Sequence, residues 1–568
     1  MSRPVATMWG SILRIGCAIA LAVLAAPAGW RPVELAFGAG LVAVALVGAR
    51  PRVTPRVQVA AIVLLTLLFA ASALPLVDPS RPYGTDWMVY LRNAIAIATD
   101  DWDHYQRWRG PGHAWASLAA AKIAGGLVEG SILVSFLAAT SLVPLTALLG
   151  RRVASPEAGI LGAALLAGWA DLRLYAISST PYALYAALIL AGTVAILGPD
   201  GARDGDRAPW TNWLFAGLAG VAFGFAFATD QRAGPVVGIV LLGEAGAALL
   251  GGWRARGPAA RPGRGRRVRR HLAATAITAL VAFAIGAGTL ATFPVPLLSV
   301  GEQVVLQRDL NAREGVGDCM AKGPVLPTLA DLVGPCGRTT LRANLVRGQD
   351  AVPVELGMLA GFVLLGLVVV RRGRAALVAP LLPIVPSVLI LGVQNRYFVP
   401  MAPGLAAAGG AALAWLAGDA VAVGTARRAA SVLALAGALA APAWGWARSP
   451  GTTWSRANEG DGFGASPFSG PYAKATAAIR EGFEEGDGII DCAHAGLRER
   501  LWPRPVENWS LGGSQAASNP CSRLVAKGTR TPTWVVAQVR ASAPVSPTWE
   551  VVVTQPAGDG TLQLLRWR

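Results

Sequence analysis

Apolar residues run along this chain in blocks long enough to cross the hydrocarbon core of a bilayer, which takes about 20 of them, separated by short connections rich in arginine. The blocks at 11–28, 33–49, 57–77, 131–149, 156–170, 181–198, 213–228, 234–252, 272–293, 354–371, 375–393, 398–418 and 429–446 predict about thirteen transmembrane helices. Met1 to Leu24, with Arg3 and Arg14 before an apolar core, has the outline of a signal peptide. The next blocks follow too closely to leave a secreted domain, so it reads as an uncleaved first helix.

The pattern changes in two places. Between the third and fourth blocks, Pro82, Gly84 and Thr85 lead into a helix over Asp86–Thr99. Trp87, Tyr90, Leu91, Ala94, Ile95 and Ala98 recur on it at spacings of three and four, a face expected to lie along the membrane surface. After the last block, a Gly/Ser/Pro-rich linker (Gly460 to Pro471) precedes a helical run from Tyr472 to Glu485. The segments GIIDC, TWVVAQV, WEVVVTQ and LQLLRWR then read as short β-strands. A small α+β domain is the expectation for this tail.

Composition agrees with the pattern. The 568 residues are 54% hydrophobic and 15% charged, and the mean hydropathy of +0.47 excludes a soluble globular protein. The net charge of +17 comes from arginines clustered in short loops. That is the mark of cytoplasmic connections and argues against nucleic acid as a partner. Arg50, Arg52 and Arg56 place the second connection inside, so the N-terminus is inside and the tail outside; Arg151 and Arg152, Arg203 and Arg207, Arg254 to Arg270, Arg371 to Arg374, and Arg427 with Arg428 agree.

The fold expected is therefore an α-helical polytopic membrane protein with a small extracytoplasmic C-terminal domain. It divides into two additional N-terminal helices (1–56), a transmembrane domain (57–446) with outer loops 78–130 and 294–353, and the tail (447–568). Cys319 with Cys336 and Cys492 with Cys521 fall as pairs in the outer regions, as disulfides of an oxidising compartment would. Cys17 sits in the first apolar block as a packing residue.

Polar chemistry concentrates between Tyr83 and Gly126, which holds two of the chain's four histidines. Asp86 stands at a helix start, where a carboxylate caps free N–H groups or serves as a base. Asp100 and Asp101 close the same helix at its negative end, which costs roughly 0.3–1 kcal/mol and calls for a reason. Asp103, His104, Arg107 and Arg109 follow, so the loop is either a solvated network of ion pairs or a site with a carboxylate base and cations for an anionic ligand. His104 and His113 with Asp101 and Asp103 fit no standard ligand spacing, so no metal residues are assigned and a divalent metal is a minority reading. Short outer turns add Asp171, Arg173 and Tyr175; Asp230, Gln231 and Arg232; and Gln394 to Tyr397. Such charges either snorkel to water or line a cavity. Glu244 is the one acid deep in a predicted span, a functional candidate whose blander role is a helix–helix hydrogen bond. No P-loop or Rossmann fingerprint stands in a strand-to-helix setting.

DWMVY at 86–90, Asp101-Trp102, RGPGHAWASL at 109–118, STPYALY at 179–185, the run at 215–241 and RYFVPMAPGLAAAGG at 396–410, in that order, resemble the GT-C superfamily of membrane glycosyltransferases. The branch is that of protein O-mannosyltransferases and lipid A aminoarabinose transferases, and the similarity covers most of 57–420. The resemblance implies a polyprenyl-phosphate sugar donor, a glycan, lipid or protein acceptor, and a site on the extracytoplasmic side of a bacterial inner membrane. It implies that Asp86 acts at the acceptor and that Arg109, before Gly110-Pro111, meets the donor phosphate; Arg396 matches the Arg-Tyr opening a late helix. Arg232 and Arg396 are further phosphate candidates, Asp101 is the alternative base, and His104, His113, Asp230 and Tyr397 are candidate substrate contacts. Trp87 and Trp108 stand where relatives often carry acids. The competing functions are a flippase or exporter of lipid-linked glycans and a non-catalytic binder of a lipid-linked sugar. Transporters place polar groups near the midplane, whereas here most lie in outer loops.

Overall fold

The computed structural model describes residues 54–77, 87–107, 109–198, 209–253, 264–297, 363–370, 373–381, 398–422, 469–492, 497–504, 506–508, 524–525, 533–539, 545–557 and 560–567, with positions 302 and 334. The predicted spans at 11–28, 33–49 and 429–446, most of outer loop 294–353, and Asp86, Trp108, Cys319, Cys336, Arg396, Tyr397 and Cys521 lie outside the described residues.

Helix α1 (Pro55–Ala73) opens with proline at its first position, and the Thr54 side chain accepts the Val57 N–H. Next come α2 (Trp87–Ala98), α3 (Gly112–Ala124), α4 (Leu127–Val153), α5 (Pro156–Ala167), α6 (Ala170–Ala176) and α7 (Tyr182–Ile196). Then follow α8 (Pro209–Thr229), α9 (Ala233–Trp253), α10 (Arg264–Thr292), α11 (Arg374–Val378) and α12 (Ala402–Ala422). Among the described residues five helices are long and apolar enough to cross a membrane, within α1, α4, α8, α9 and α10. Shorter apolar helices lie within α5, α7 and α12. Leu242, Leu280 and Phe283 are 74%, 68% and 73% exposed, an outward apolar surface that suits lipid and not water. The chain is an integral membrane protein.

At 27 residues α4 spans about 40 Å. It is the hub of the bundle, touching α1, α3, α5, α6, α7 and α12. Small residues let the helices approach: a Cβ on Gly410 of α12 would stand 2.4 Å from the Ala158 carbonyl oxygen of α5. Glu244 is answered across the α9–α10 contact by His271, with Nε2 3.4 Å from Oε2, which is the blander of its two expected roles.

The tail forms α13 (Ser469–Gly482), β1 (Gly488–Asp491), α14 (Leu497–Leu501), β2 (Glu507–Asn508), β3 (Thr533–Val539), β4 (Trp549–Ala557) and β5 (Gly560–Trp567). The sheet runs β2-β1-β3-β5-β4, parallel on the β1 side and antiparallel around β5. Side chains alternate between two small cores. Ile489, Val536 and Leu564 pack under α13 and α14, and Ile490, Val535 and Leu565 face Trp549. Cys492, just beyond β1, is disulfide-bonded.

Candidate active site

The site is built on α2 and the loop after it. Helix α2 runs over Trp87–Ala98, but the face expected on the membrane surface is buried in protein. Trp87, Leu91, Ala94 and Ile95 pack with Ala114, Leu127 and Ile132 of α3 and α4, while Ala98 is exposed. The helix folds inward because α3, left unassigned by the apolar pattern, supplies it with a second apolar partner.

The acids at the end of α2 have a conformational reason. Asp100 takes the left-handed position after the helix (φ +54°), and the Asp101 N–H bonds the Ala96 carbonyl at 2.9 Å. This is a Schellman turn, in which aspartate tolerates positive φ better than most residues. Asp101 then meets His104 Nδ1 at 2.7 Å and Arg498 of the tail at 3.3 Å. The His104 hydrogen bond, and Arg498 beside it, hold the Asp101 carboxyl below its ordinary range.

From Tyr105 onward the loop is tied down atom by atom. Asn93, buried on α2, accepts the Gln106 N–H at 2.8 Å and donates back to the Gln106 carbonyl at 3.2 Å. The buried Tyr105 hydroxyl donates to the Arg109 carbonyl at 2.8 Å, and burial raises its pKa. Gly110 and Gly112 then press onto the end of α8. A Cβ on Gly110 would stand 2.1 Å from the Ala228 carbonyl oxygen, and one on Gly112 2.6 Å from Thr229 Oγ1. Only glycine permits that approach, and it carries Arg109 to the α8–α9 turn.

There Arg109 lies over the Tyr90 ring, 4.6 Å from its centre. It also acts electrostatically on Asp230 in the turn. Asp230 is held by Arg232, whose Nε bonds both carboxylate oxygens at 2.9 and 3.0 Å and whose Nη2 and backbone N–H add to the fork. Burial alone raises the Asp230 pKa, but the charge and hydrogen bonds of Arg232, with Arg109 behind them, outweigh it and keep the carboxyl ionised. The Tyr90 hydroxyl is 3.3 Å from that of Tyr182 at the start of α7. Tyr185, one turn on, is in electrostatic reach of Asp230 and Arg232.

His113 is buried, edge-on to Tyr90 at 5.6 Å, with Nε2 3.5 Å from Ser131 Oγ. Burial pushes its pKa down to about 3, so the ring is neutral. His104 is exposed and belongs to the Asp101–Arg498 contact. The two histidines are therefore separated. The minority metal set of His104, His113, Asp101 and Asp103 does not assemble, and among the described residues no group of three or more His, Cys, Asp or Glu is placed to hold a metal.

Arg109, Asp230 and Arg232 thus come together from distant stretches, with His113 behind Tyr90. Arg173 and Tyr175, expected in a short outer turn, lie instead on α6, where both are buried. Asn93, Tyr182 and Tyr185 carried no assigned role in the sequence, and Tyr90 was assigned only to the face of α2 expected along the membrane surface. A signal that could have found three of them is position, Tyr90 within DWMVY and the other two tyrosines within STPYALY.

No family model matches the chain, and no curated protein matches it. Among solved structures, ArnT from Cupriavidus metallidurans in the apo state is similar at 13% identity, with a TM-score of 0.49, covering 88% of this chain and 97% of that one. The same protein bound to undecaprenyl phosphate is similar at 14% identity and a TM-score of 0.49, covering 90% and 98%. The archaeal oligosaccharyltransferase AglB from Archaeoglobus fulgidus, in complex with an inhibitory peptide and a dolichol-phosphate, is similar at 14% identity and a TM-score of 0.45, covering 85% and 69%. At such scores the likeness transfers no residue role.

Proposed function

We propose that the chain is a glycosyltransferase that moves a sugar from a polyprenyl-phosphate donor to an acceptor at the outer face of a bacterial inner membrane. One observation carries the reading. Arg109 and Arg232, assigned to the donor phosphate from separate stretches of sequence, meet around Asp230 at one end of the bundle. Guanidinium groups drawn to one place from two stretches of the chain are suited to a phosphate that gains charge as the sugar departs. In the sequence Asp86 immediately precedes Trp87, the first residue of α2.

In the mechanism the acceptor's oxygen or nitrogen forms a bond to the anomeric carbon while the bond from that carbon to the phosphate oxygen breaks. The bonding pair leaves with the polyprenyl phosphate, whose charge Arg109 stabilises, and the acceptor's proton passes to the Asp86 carboxylate. Asp101 is the weaker base because its carboxylate is engaged by His104 and Arg498. Arg396 remains a proposed donor-phosphate contact and Tyr397 a proposed substrate contact. The lipid carrier brings the activated sugar, so no nucleotide site is needed. The proposed organisation keeps 57–446 as the transferase domain and 447–568 as an outer cap.

Asp86→Asn should lower transfer from a polyprenyl-phosphate sugar by about a hundredfold or more while the protein remains inserted and folded. Near-normal turnover by that variant would remove Asp86 from the mechanism. Movement of the lipid-linked sugar across liposomes with no covalent product would favour a flippase instead.

A further inference from the structure

The first turn of α7 carries a hydroxyl with nothing to bond. Tyr185 is 2% exposed, and its phenol oxygen has no hydrogen-bond partner. Leaving such a group buried and unmet is unfavourable, and the great majority of buried polar groups avoid it. Ser117 and Thr146 are also buried without a partner. They lie within α3 and α4, where rotation about one bond brings the oxygen toward the carbonyl four residues back. A tyrosine has no such recourse, because its hydroxyl rides at the tip of a rigid ring. This ring shares a buried cluster with Phe223 and Ala226 of α8 and with Ala233, Val236 and Val237 of α9.

The cluster adjoins the α8–α9 turn. The Asp230 N–H bonds the Ala226 carbonyl at 2.8 Å, and the Ala233 N–H bonds the Asp230 carbonyl at 2.9 Å. The turn that holds Asp230 and Arg232 is thus closed by residues of the same cluster as the ring, and the phenol oxygen is in electrostatic reach of both charges. The Asp230 oxygens accept from Arg232 and leave the hydroxyl unmet. Three residues earlier on α7, and so on the same face, Tyr182 meets the Tyr90 hydroxyl at 3.3 Å, and Arg109 lies over the Tyr90 ring. Tyr185 therefore stands beside the place where Arg109 and Arg232 come together.

We propose that Tyr185 is a ligand of the donor phosphate: its hydroxyl donates to a phosphate oxygen of a polyprenyl phosphate held at Arg109 and Arg232. The inference rests on the reading of those two arginines as the phosphate site. The ligand supplies the acceptor that the protein does not. The hydroxyl is then a cost in the empty protein and a gain in the occupied one, so its removal acts with opposite sign on stability and on binding. A hydroxyl with a purely structural role would not part the two.

The test uses the full-length protein in phosphatidylcholine nanodiscs, which bring no net anionic headgroup, with Tyr185→Phe and Arg109→Ala. Undecaprenyl phosphate is titrated onto each protein, and thermal melting is recorded with and without it. Tyr185→Phe keeps the ring and is expected to bind the lipid phosphate roughly ten- to a hundredfold more weakly, as for a lost hydrogen bond to a charged group. Its melting temperature without ligand should equal the wild-type value or exceed it by about 1–3 °C. Unchanged affinity in Tyr185→Phe overturns the inference; if Arg109→Ala loses the lipid in the same series, the phosphate reading survives it. A lower melting temperature of ligand-free Tyr185→Phe also overturns it, because the hydroxyl would then have a partner within the protein. If the wild-type protein binds no undecaprenyl phosphate, the reading and the inference fall together.

Discussion

Tyr90 meets Arg109 with its face, Tyr182 with its hydroxyl and His113 at its edge, so one ring sets the place of the cation. The glycines beside Arg109 set it equally. Gly110→Ala would put a methyl within 2.1 Å of the Ala228 carbonyl oxygen, and the loop must lift off α8. The expected cost is about 1–3 kcal/mol of stability together with weaker binding of undecaprenyl phosphate, measurable by thermal melting and by titration. His113 makes a pH prediction. Its folded pKa is depressed to about 3 from 6.5, so between those values the unfolded chain takes up a proton that the folded one refuses. Stability is full above the unfolded value and falls as the pH drops through this window. Melting temperature should decline from pH 7 to pH 5, and His113→Gln should flatten the decline; an unchanged slope would mean that His113 is not buried as described. RGPG and the histidine could be singled out in the sequence as chemistry. Their packing could not, because the partners, Ala228, Thr229 and Tyr90, are brought near only by folding.

The helices of the bundle were legible from their apolar blocks because a bilayer sets their length, and α4, α8, α9 and α10 fall close to the expected spans. The tail strands were equally readable from two-residue alternation; only β2 (Glu507–Asn508) was missed, being two residues long and polar. The misreadings came where a short helix has no periodic signature of its own. Helix α3 was read as loop, α6 as a turn, and the apolar face of α2 was laid along the membrane surface when α3 and α4 cover it. The acids after α2 looked like chemistry, yet Asp100 occupies a position defined by its backbone. Asp100→Gly should therefore be neutral or slightly stabilising, whereas Asp100→Val should cost about 1–2 kcal/mol, as judged by thermal melting. If Asp100→Gly abolishes transfer in a fully folded protein, the carboxylate itself is needed and the conformational explanation fails.

Across the whole molecule, the three regions expected outside meet at one end. Trp102 and Tyr105 of the first loop meet Phe293 in T-shaped contacts at 5.3 and 4.9 Å, Arg107 donates to the Pro296 carbonyl at 2.6 Å, and the tail reaches Asp101 and Glu129. The orientation deduced from arginines requires this side to be extracytoplasmic. A single cysteine placed in the tail should then react with an impermeant thiol reagent in intact cells, and one placed near Arg151 should not; the reverse would invert the topology. The Arg498–Asp101 contact predicts that Arg498→Glu loosens the tail and that Asp101→Arg added to it restores protection from proteolysis. Contacts of this range leave no periodic trace in a sequence, which is why Arg498 drew no notice there. The central claim is that a polyprenyl phosphate binds where Arg109 and Arg232 meet. A structure of the protein with undecaprenyl phosphate bound tests it most directly. The account predicts the phosphorus within about 4–5 Å of the Arg109 guanidinium carbon, as charge-assisted hydrogen bonds require, with the lipid chain leaving toward the bilayer. A phosphate seated elsewhere, with Arg109 still stacked on Tyr90 and remote from it, would contradict it.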